Sequence, residues 1–225
     1  MKDYKYLIFI SGLFAATLLI SNTLDTKIFT IGDLALPAGI ILFPLAYVFG
    51  DVLTEVYGYT IARRVIWTGF AGLILMLISY EIARAIPPAN FWEHQEAFDT
   101  IFSHIPRIAV ASVTAYFCGE FINSYIVAKM KVKMQGKQTW LRLVLSTVAG
   151  QFVDTSVFVA IAFIGVFTVP DLITLILSAW AIKVAWEIIA LPLTLFVVSW
   201  LKKTENVDFY DTNTNFNPFS VNNNR

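Results

Sequence analysis

Between Arg64 and Glu81 the sequence runs VIWTGFAGLILMLISY without a charged residue, and comparable apolar stretches recur along the chain. Runs of this kind suit a bilayer crossing, for which about 20 residues at 1.5 Å rise cover roughly 30 Å of hydrocarbon. Six spans are expected, at Tyr4 to Leu24, Leu34 to Tyr57, Arg64 to Ile86, Ile105 to Ala128, Trp140 to Phe167 and Pro170 to Leu201. Composition agrees, because 225 residues that are 57% hydrophobic and only 14% charged are too apolar for a soluble domain of this size. The expected fold class is all-α integral membrane, with six transmembrane helices. Lys2 and Lys5 ahead of the first run imitate a signal peptide, but the run is too long and lacks a small-x-small cleavage site, so its retention is expected.

Charge sets orientation and excludes some partners. Lys2, Lys5, Arg63, Arg64, Lys129, Lys131, Lys133, Lys137, Arg142, Lys202 and Lys203 fall at alternate connections, against Lys27, Arg84 and Arg107 on the other side. That bias of 11 to 3 puts both termini in the cytoplasm by the positive-inside rule, and the even number of spans agrees. With 16 basic and 16 acidic residues there is no electrostatic case for a nucleic-acid partner. Cys118 stands alone, which excludes an intrachain disulfide and a cysteine-rich metal site. Residues 1–203 thus read as one transmembrane domain and residues 204–225 as a polar, Asn-rich cytoplasmic tail that cannot fold by itself. Its Phe209, Tyr210, Phe216 and Phe219 leave open that part of it packs on the bundle. No GxxxxGK[ST] run is present, so no ATPase module or cofactor is expected.

Three stretches place polar groups inside the apolar spans: GDVLTEVYGY from Gly50, GEFINSYIVA from Gly119 and GQFVDTSVFV from Gly150. Residues at i, i+3 and i+4 share a helix face, which groups Asp51, Thr54 and Glu55, then Glu120, Asn123 and Ser124, then Gln151, Asp154 and Thr155. An acidic residue near mid-span costs about 2.5–3.5 kcal/mol on insertion scales, so such patches are tolerable where they face one another. Pro37, Gly39, Pro44 and Gly50 make the second span a broken or kinked one that lines a cavity.

Lys183 and Glu187 lie four residues apart on the last span, flanked by Trp180 and Trp186. They read either as a local ion pair or as members of the same chamber, in which Asp51, Glu55, Glu120, Asp154 and Glu187 compete for one cation. Phe43, Tyr47, Asp51 and Glu55 recur every four residues, a ladder with rings at one end and carboxylates at the other. Rings of this kind either pack the bundle or stack on a flat heterocycle, whose edge a carboxylate, Asn123 or Gln151 reads by hydrogen bonds. Glu55 and Asp154 are candidates for carrying a coupling proton, since a low-dielectric cavity favours the neutral carboxyl.

FPLAYVFGDVLTEVYGYTIARR from Phe43 to Arg64, the pair Ser21 and Asn22, the Gly119 and Gly150 blocks, AIKVAWEI around Lys183 and the FNPF ending at Phe216 to Phe219 resemble the queuosine precursor transporter family, also called the vitamin uptake transporter family. The resemblance covers nearly the whole chain. It implies a multi-pass protein of the bacterial inner membrane that imports 7-deazaguanine compounds: 7-cyano-7-deazaguanine, 7-aminomethyl-7-deazaguanine or queuine. It implies a fold like the substrate-binding subunits of energy-coupling-factor vitamin transporters, with no ATPase module of its own. It also implies a substrate site drawn from Asn22, Phe43, Tyr47, Asp51, Glu55, Glu120, Asn123, Gln151, Asp154, Trp180, Lys183, Trp186 and Glu187.

Two other functional classes are weighed against this. One is a substrate-capture subunit that needs a separate energising complex; a homo-oligomer is the other assembly considered. The second is an intramembrane enzyme using Glu93, His94, Glu96, Asp99 and His104, which lack HExxH spacing and sit in an acidic connector that reads as a solvated loop. A transporter rather than an enzyme is the expectation.

Overall fold

The computed structural model describes residues 4–24, 26–31, 34–102, 106–165 and 167–220. Seven α-helices account for most of them: α1 Leu7–Leu24, α2 Phe43–Val52, α3 Tyr59–Ala85, α4 Gln95–Phe102, α5 Pro106–Lys133, α6 Thr139–Phe163 and α7 Val169–Glu205. Four of these, α1, α3, α6 and α7, are long and apolar enough to cross a membrane. Helix α5 has 28 residues but carries Glu120, Lys129, Lys131 and Lys133, which dilute its apolar character. His104 and Ile105, at the end of the acidic connector and the start of the fourth expected span, lie outside the described residues.

The stretch expected as a second span is segmented. Leu34–Pro37 is strand β2, paired antiparallel with β1 at Ile28–Ile31 in a register that sets Ile28 opposite Pro37. A 3-10 turn follows at Ala38–Ile41, then α2, whose second residue is Pro44, and then a π-helical turn at Leu53–Tyr57. Proline explains two of these breaks. Pro37 has no N–H to continue a helix, and Pro44 fits the first turn of α2, where no donor is needed. Gly58, at φ 88°, then ends the π turn and lets α3 begin at Tyr59, five residues before the Arg64 expected from sequence. At the other end Gly165, at φ 80°, follows α6, which stops at Phe163 rather than Phe167.

The starts of α1, α3 and α6 and the ends of the π turn, α5 and α7 meet at one end of the bundle. Glu205, the last residue of α7, accepts from the backbone N–H groups of Lys5 (3.1 Å) and Tyr6 (2.7 Å) and from the Tyr57 hydroxyl. A carboxylate at a helix N-terminus satisfies orphan donors and complements the dipole. Inside, Phe14, Leu18, Val52, Leu53, Val56, Ile66 and Leu201 form the apolar core. Outside, Leu75, Ile189 and Phe196 are each about two-thirds exposed, as a lipid-facing surface requires.

The segment after α7 is fastened to this same end. Phe209 covers Gly58, where an added Cβ would lie 2.2 Å from its ring, and Tyr210 covers Gly136 in the α5–α6 turn in the same way. Arg63 donates to the carbonyls of Asn215 (2.9 Å) and Asn217 (2.8 Å), and Trp67 to that of Pro218. Phe216 packs on Tyr59 and Tyr125 with the Lys129 ammonium 4.3 Å from its ring centre, and Phe219 packs on Trp67 and Phe117. The aromatic residues spaced through an otherwise polar sequence attach it together with these hydrogen bonds.

Candidate functional site

Helices α5 and α6 are joined by a tight turn and cross with their backbones in contact. A Cβ at Gly119 would fall 2.7 Å from Asp154 Cβ and 3.0 Å from the Gly150 carbonyl; one at Gly150 would fall 2.9 Å from Asn123 Cβ and 3.1 Å from the Gly119 carbonyl. Small residues permit this approach in membrane helices. The same crossing carries the polar groups, because Glu120, Asn123, Gln151, Asp154 and Thr155 flank the two glycines in sequence.

Helix α2 completes one wall. A Cβ at Gly50 would sit 2.0 Å from Glu120 Oε1, so the missing side chain is the space that the carboxyl fills. Asp51 accepts from Asn123 Nδ2 at 2.8 Å, and Thr54 donates to Ser124 at 3.0 Å. The Tyr47 hydroxyl is close enough to Gly119 that a Cβ there would be 3.2 Å away. Helix α7 closes the opposite wall: Glu187 accepts from Thr147 and Gln151, both at 2.5 Å, and Lys183 pairs with Asp154 at 2.5 Å. Tyr47, Asp51, Glu120, Asn123, Gln151, Asp154 and Glu187 are all buried. Asp51 and Glu187 line a common cleft with Val48, Leu143, Thr147 and Thr194, in which the open space is about 10 Å³. That is the size of one water.

The remaining sequence candidates lie elsewhere. Asn22 donates to the Leu18 carbonyl of its own helix. Trp180 donates to the Val148 carbonyl of α6 and packs edge-on to Phe152, while Trp186 is 45% exposed on the outer face. Phe43 opens α2, but its side chain lies outside the described residues. Glu55 sits one turn further towards the bundle end, where α5 and α7 finish and α6 begins. There it meets Arg142 at 2.7 Å, Lys202 at 2.5 Å and Lys131 at 3.7 Å. Lys131 also donates to the Glu55 backbone carbonyl in the π turn, and Asp208 of the tail bridges Lys131 (2.6 Å) and Lys202 (2.9 Å). Burial acts to raise the Asp208 carboxyl, but hydrogen bonds from the two ammonium groups outweigh it and hold the group below its ordinary range.

Sequence reasoning missed this cluster because Lys131, Arg142 and Lys202 were read for orientation alone. Arg142 is fully buried, and so is Lys131. Thr147 and Tyr116 were missed too. Thr147 stands three residues before Gly150 and four before Gln151, a spacing that placed it on the polar face from the start.

A statistical model of the family described as "Putative vitamin uptake transporter" matches residues 37–197. The chain is 30% identical over 155 residues to a protein of Bacillus subtilis (strain 168) named "Probable queuosine precursor transporter", covering 68% of each chain. It is 31% identical over 126 residues to the "Queuosine precursor transporter" of Escherichia coli (strain K12), a match that covers 56% of this chain and about half (54%) of the relative. No solved structure matches.

Proposed function

The chain belongs to the vitamin uptake transporter family, and from that premise we propose that it imports a queuosine precursor, held between α2, α5, α6 and α7. The observation that carries this reading is a set of buried polar atoms without hydrogen-bond partners among the described residues, inside an apolar bundle: both oxygens of Glu120, Asn123 Oδ1, Gln151 Oε1, Thr155 Oγ1 and the Tyr116 hydroxyl. Polar groups at this depth are expensive and mark a substrate path. A 7-deazaguanine supplies ring and amino N–H donors on one edge and a flat face for Tyr47.

Six passes through the inner membrane, with both termini and the tail in the cytoplasm, fit the alternating helix ends. The broken segment 38–57 counts as the second pass at roughly 30 Å of rise, and the basic residues gather where the tail docks. The energy-coupling-factor-like fold belongs to this same reading. A bicyclic base does not fit a space of about 10 Å³, so α2 and α7 must separate to admit it, as alternating access demands. Of the two carboxylates weighed for proton coupling, Asp154 has one cation partner among the described residues and Glu55 has three. Asp154 is therefore our coupling candidate, with Lys183 released when it is protonated.

The test is uptake of radiolabelled 7-aminomethyl-7-deazaguanine and 7-cyano-7-deazaguanine by proteoliposomes holding this protein alone. Saturable uptake supports the transporter. Tight binding without uptake assigns a capture subunit that needs an energising partner, and neither binding nor uptake rejects the substrate class.

A further inference from the structure

Among the described residues, five carboxylates stand within the bundle, and four are engaged. Asp51 accepts from Asn123, Glu187 from Thr147 and Gln151, Asp154 from Lys183, and Glu55 from Arg142 and Lys202. Glu120 is fully buried, yet neither of its oxygens has a hydrogen-bond partner. The Ser124 side chain, four residues on along α5, is neutral and bears on it. The charged groups that bear on it are Asp51 of α2, Asp154 of α6 and Glu187 of α7, all acidic.

The neighbouring amides have fixed orientations. Asn123 turns its NH₂ to Asp51, and Gln151 turns its NH₂ to Glu187. Their oxygens therefore face away, and both are unpartnered. The groups left open are thus four acceptor atoms, with the Tyr116 and Thr155 hydroxyls able to serve either way. A pocket of open acceptors selects a ligand rich in donors, and the Glu120 carboxyl, in its ionised form, matches two parallel N–H groups.

We propose that Glu120, seated against Gly50, is the residue that reads the donor edge of the bound base. Its two oxygens accept in parallel from a ring N–H and the adjacent exocyclic amino group of a 2-amino-4-oxopyrimidine ring. This rests on the substrate reading given above and narrows it to one residue and one edge. Gly50 is part of the device, because a methyl group there would displace the carboxyl.

The experiment is equilibrium binding of 7-deazaguanine and of 7-deazahypoxanthine, which lacks the amino group, to the full chain in lipid nanodiscs. Wild type binds the first at least about tenfold tighter, the scale of one hydrogen bond to a charged acceptor. Glu120→Gln, which leaves one acceptor, weakens 7-deazaguanine by about that factor, leaves 7-deazahypoxanthine within about threefold and so removes the discrimination. Gly50→Ala does the same with the carboxyl group itself retained, and it carries the test if Glu120→Gln is not recovered folded. Equal loss for both bases, unchanged discrimination, or discrimination lost in Asp51→Asn instead overturns the role of Glu120 while leaving the substrate class standing. Wild type that binds neither base overturns the substrate class and this proposal together.

Discussion

Arg142 donates to Glu55 at 2.7 Å with both side chains fully enclosed. Lys202 and Lys131 share the same carboxylate, so one anion from the π turn holds the ends of three helices. Glu55→Gln leaves these cations short of a partner and is expected to destabilise the protein by about 3–5 kcal/mol, the usual cost of breaking a buried pair from one side. Thermal unfolding in detergent, followed by intrinsic fluorescence, checks it; a midpoint equal to wild type removes the cluster from the list of structural supports.

Asp154→Asn strips Lys183 of its carboxylate. Accumulation against a gradient is expected to cease while equilibrium binding of the substrate survives, because the asparagine retains shape but cannot exchange a proton. Proteoliposome uptake with and without an imposed pH gradient measures this. Undiminished accumulation at normal expression assigns the coupling elsewhere.

Gly119→Ala and Gly150→Ala push a methyl group against backbone as well as side chains. Each is expected to cost about 1–3 kcal/mol, the range for overpacking. Gly12→Ala meets nothing within 4 Å and serves as the tolerated control. Melting points that do not separate the three substitutions contradict the close crossing of α5 and α6.

Asp208 has a depressed carboxyl in the folded protein, held by Lys131 and Lys202. A depressed carboxyl contributes stability above its unfolded value of about 3.9, and loses it as pH falls through the folded value. Hydrogen exchange of residues 206–220 is expected to be slow at neutral pH and to quicken, after correction for intrinsic rates, as the solution is acidified below that range. Asp208→Asn brings the faster exchange to neutral pH. Identical protection in wild type and variant at pH 7 refutes the contribution of this ion pair.

Arg63→Ala removes donors from the Asn215 and Asn217 carbonyls. With hydrogen bonds to charged groups at about 1.5–3 kcal/mol each, the expected result is a tail open to limited proteolysis while the helical bundle stays intact. Cleavage at the wild-type rate argues that the aromatic contacts alone hold the segment.

Much of this arrangement is legible in the residues. Apolar runs locate α1, α3, α6 and α7 within a few residues, and the Gly-polar spacing at Gly50, Gly119 and Gly150 brings Asp51, Glu120, Asn123, Gln151 and Asp154 to one place. What periodicity does not carry is depth and offset. Phe43, Tyr47, Asp51 and Glu55 form one ladder on an ideal helix, whereas here a π turn begins at Leu53 and Glu55 joins the helix ends. Ion pairing is equally hidden: Lys183 pairs with Asp154 of α6, 29 positions earlier, although Glu187 is its neighbour on its own helix. The strand at Leu34–Pro37 reads as helix by hydropathy alone, because an apolar run has no period to mark it as extended.

The Glu55 cluster takes one partner from the π turn and others from Lys202 and Asp208, roughly 150 positions later. Ribosomal synthesis delivers those residues only after α1 to α6. Helices α1 to α6 are therefore synthesised while the carboxylate at 55 and the N–H groups at 5 and 6 still wait for α7 and the segment beyond it. Closure of this end therefore waits on the synthesis of α7 and Asp208, and a chain stopped shortly after Leu201 is expected to form its earlier helices while leaving this end unlocked.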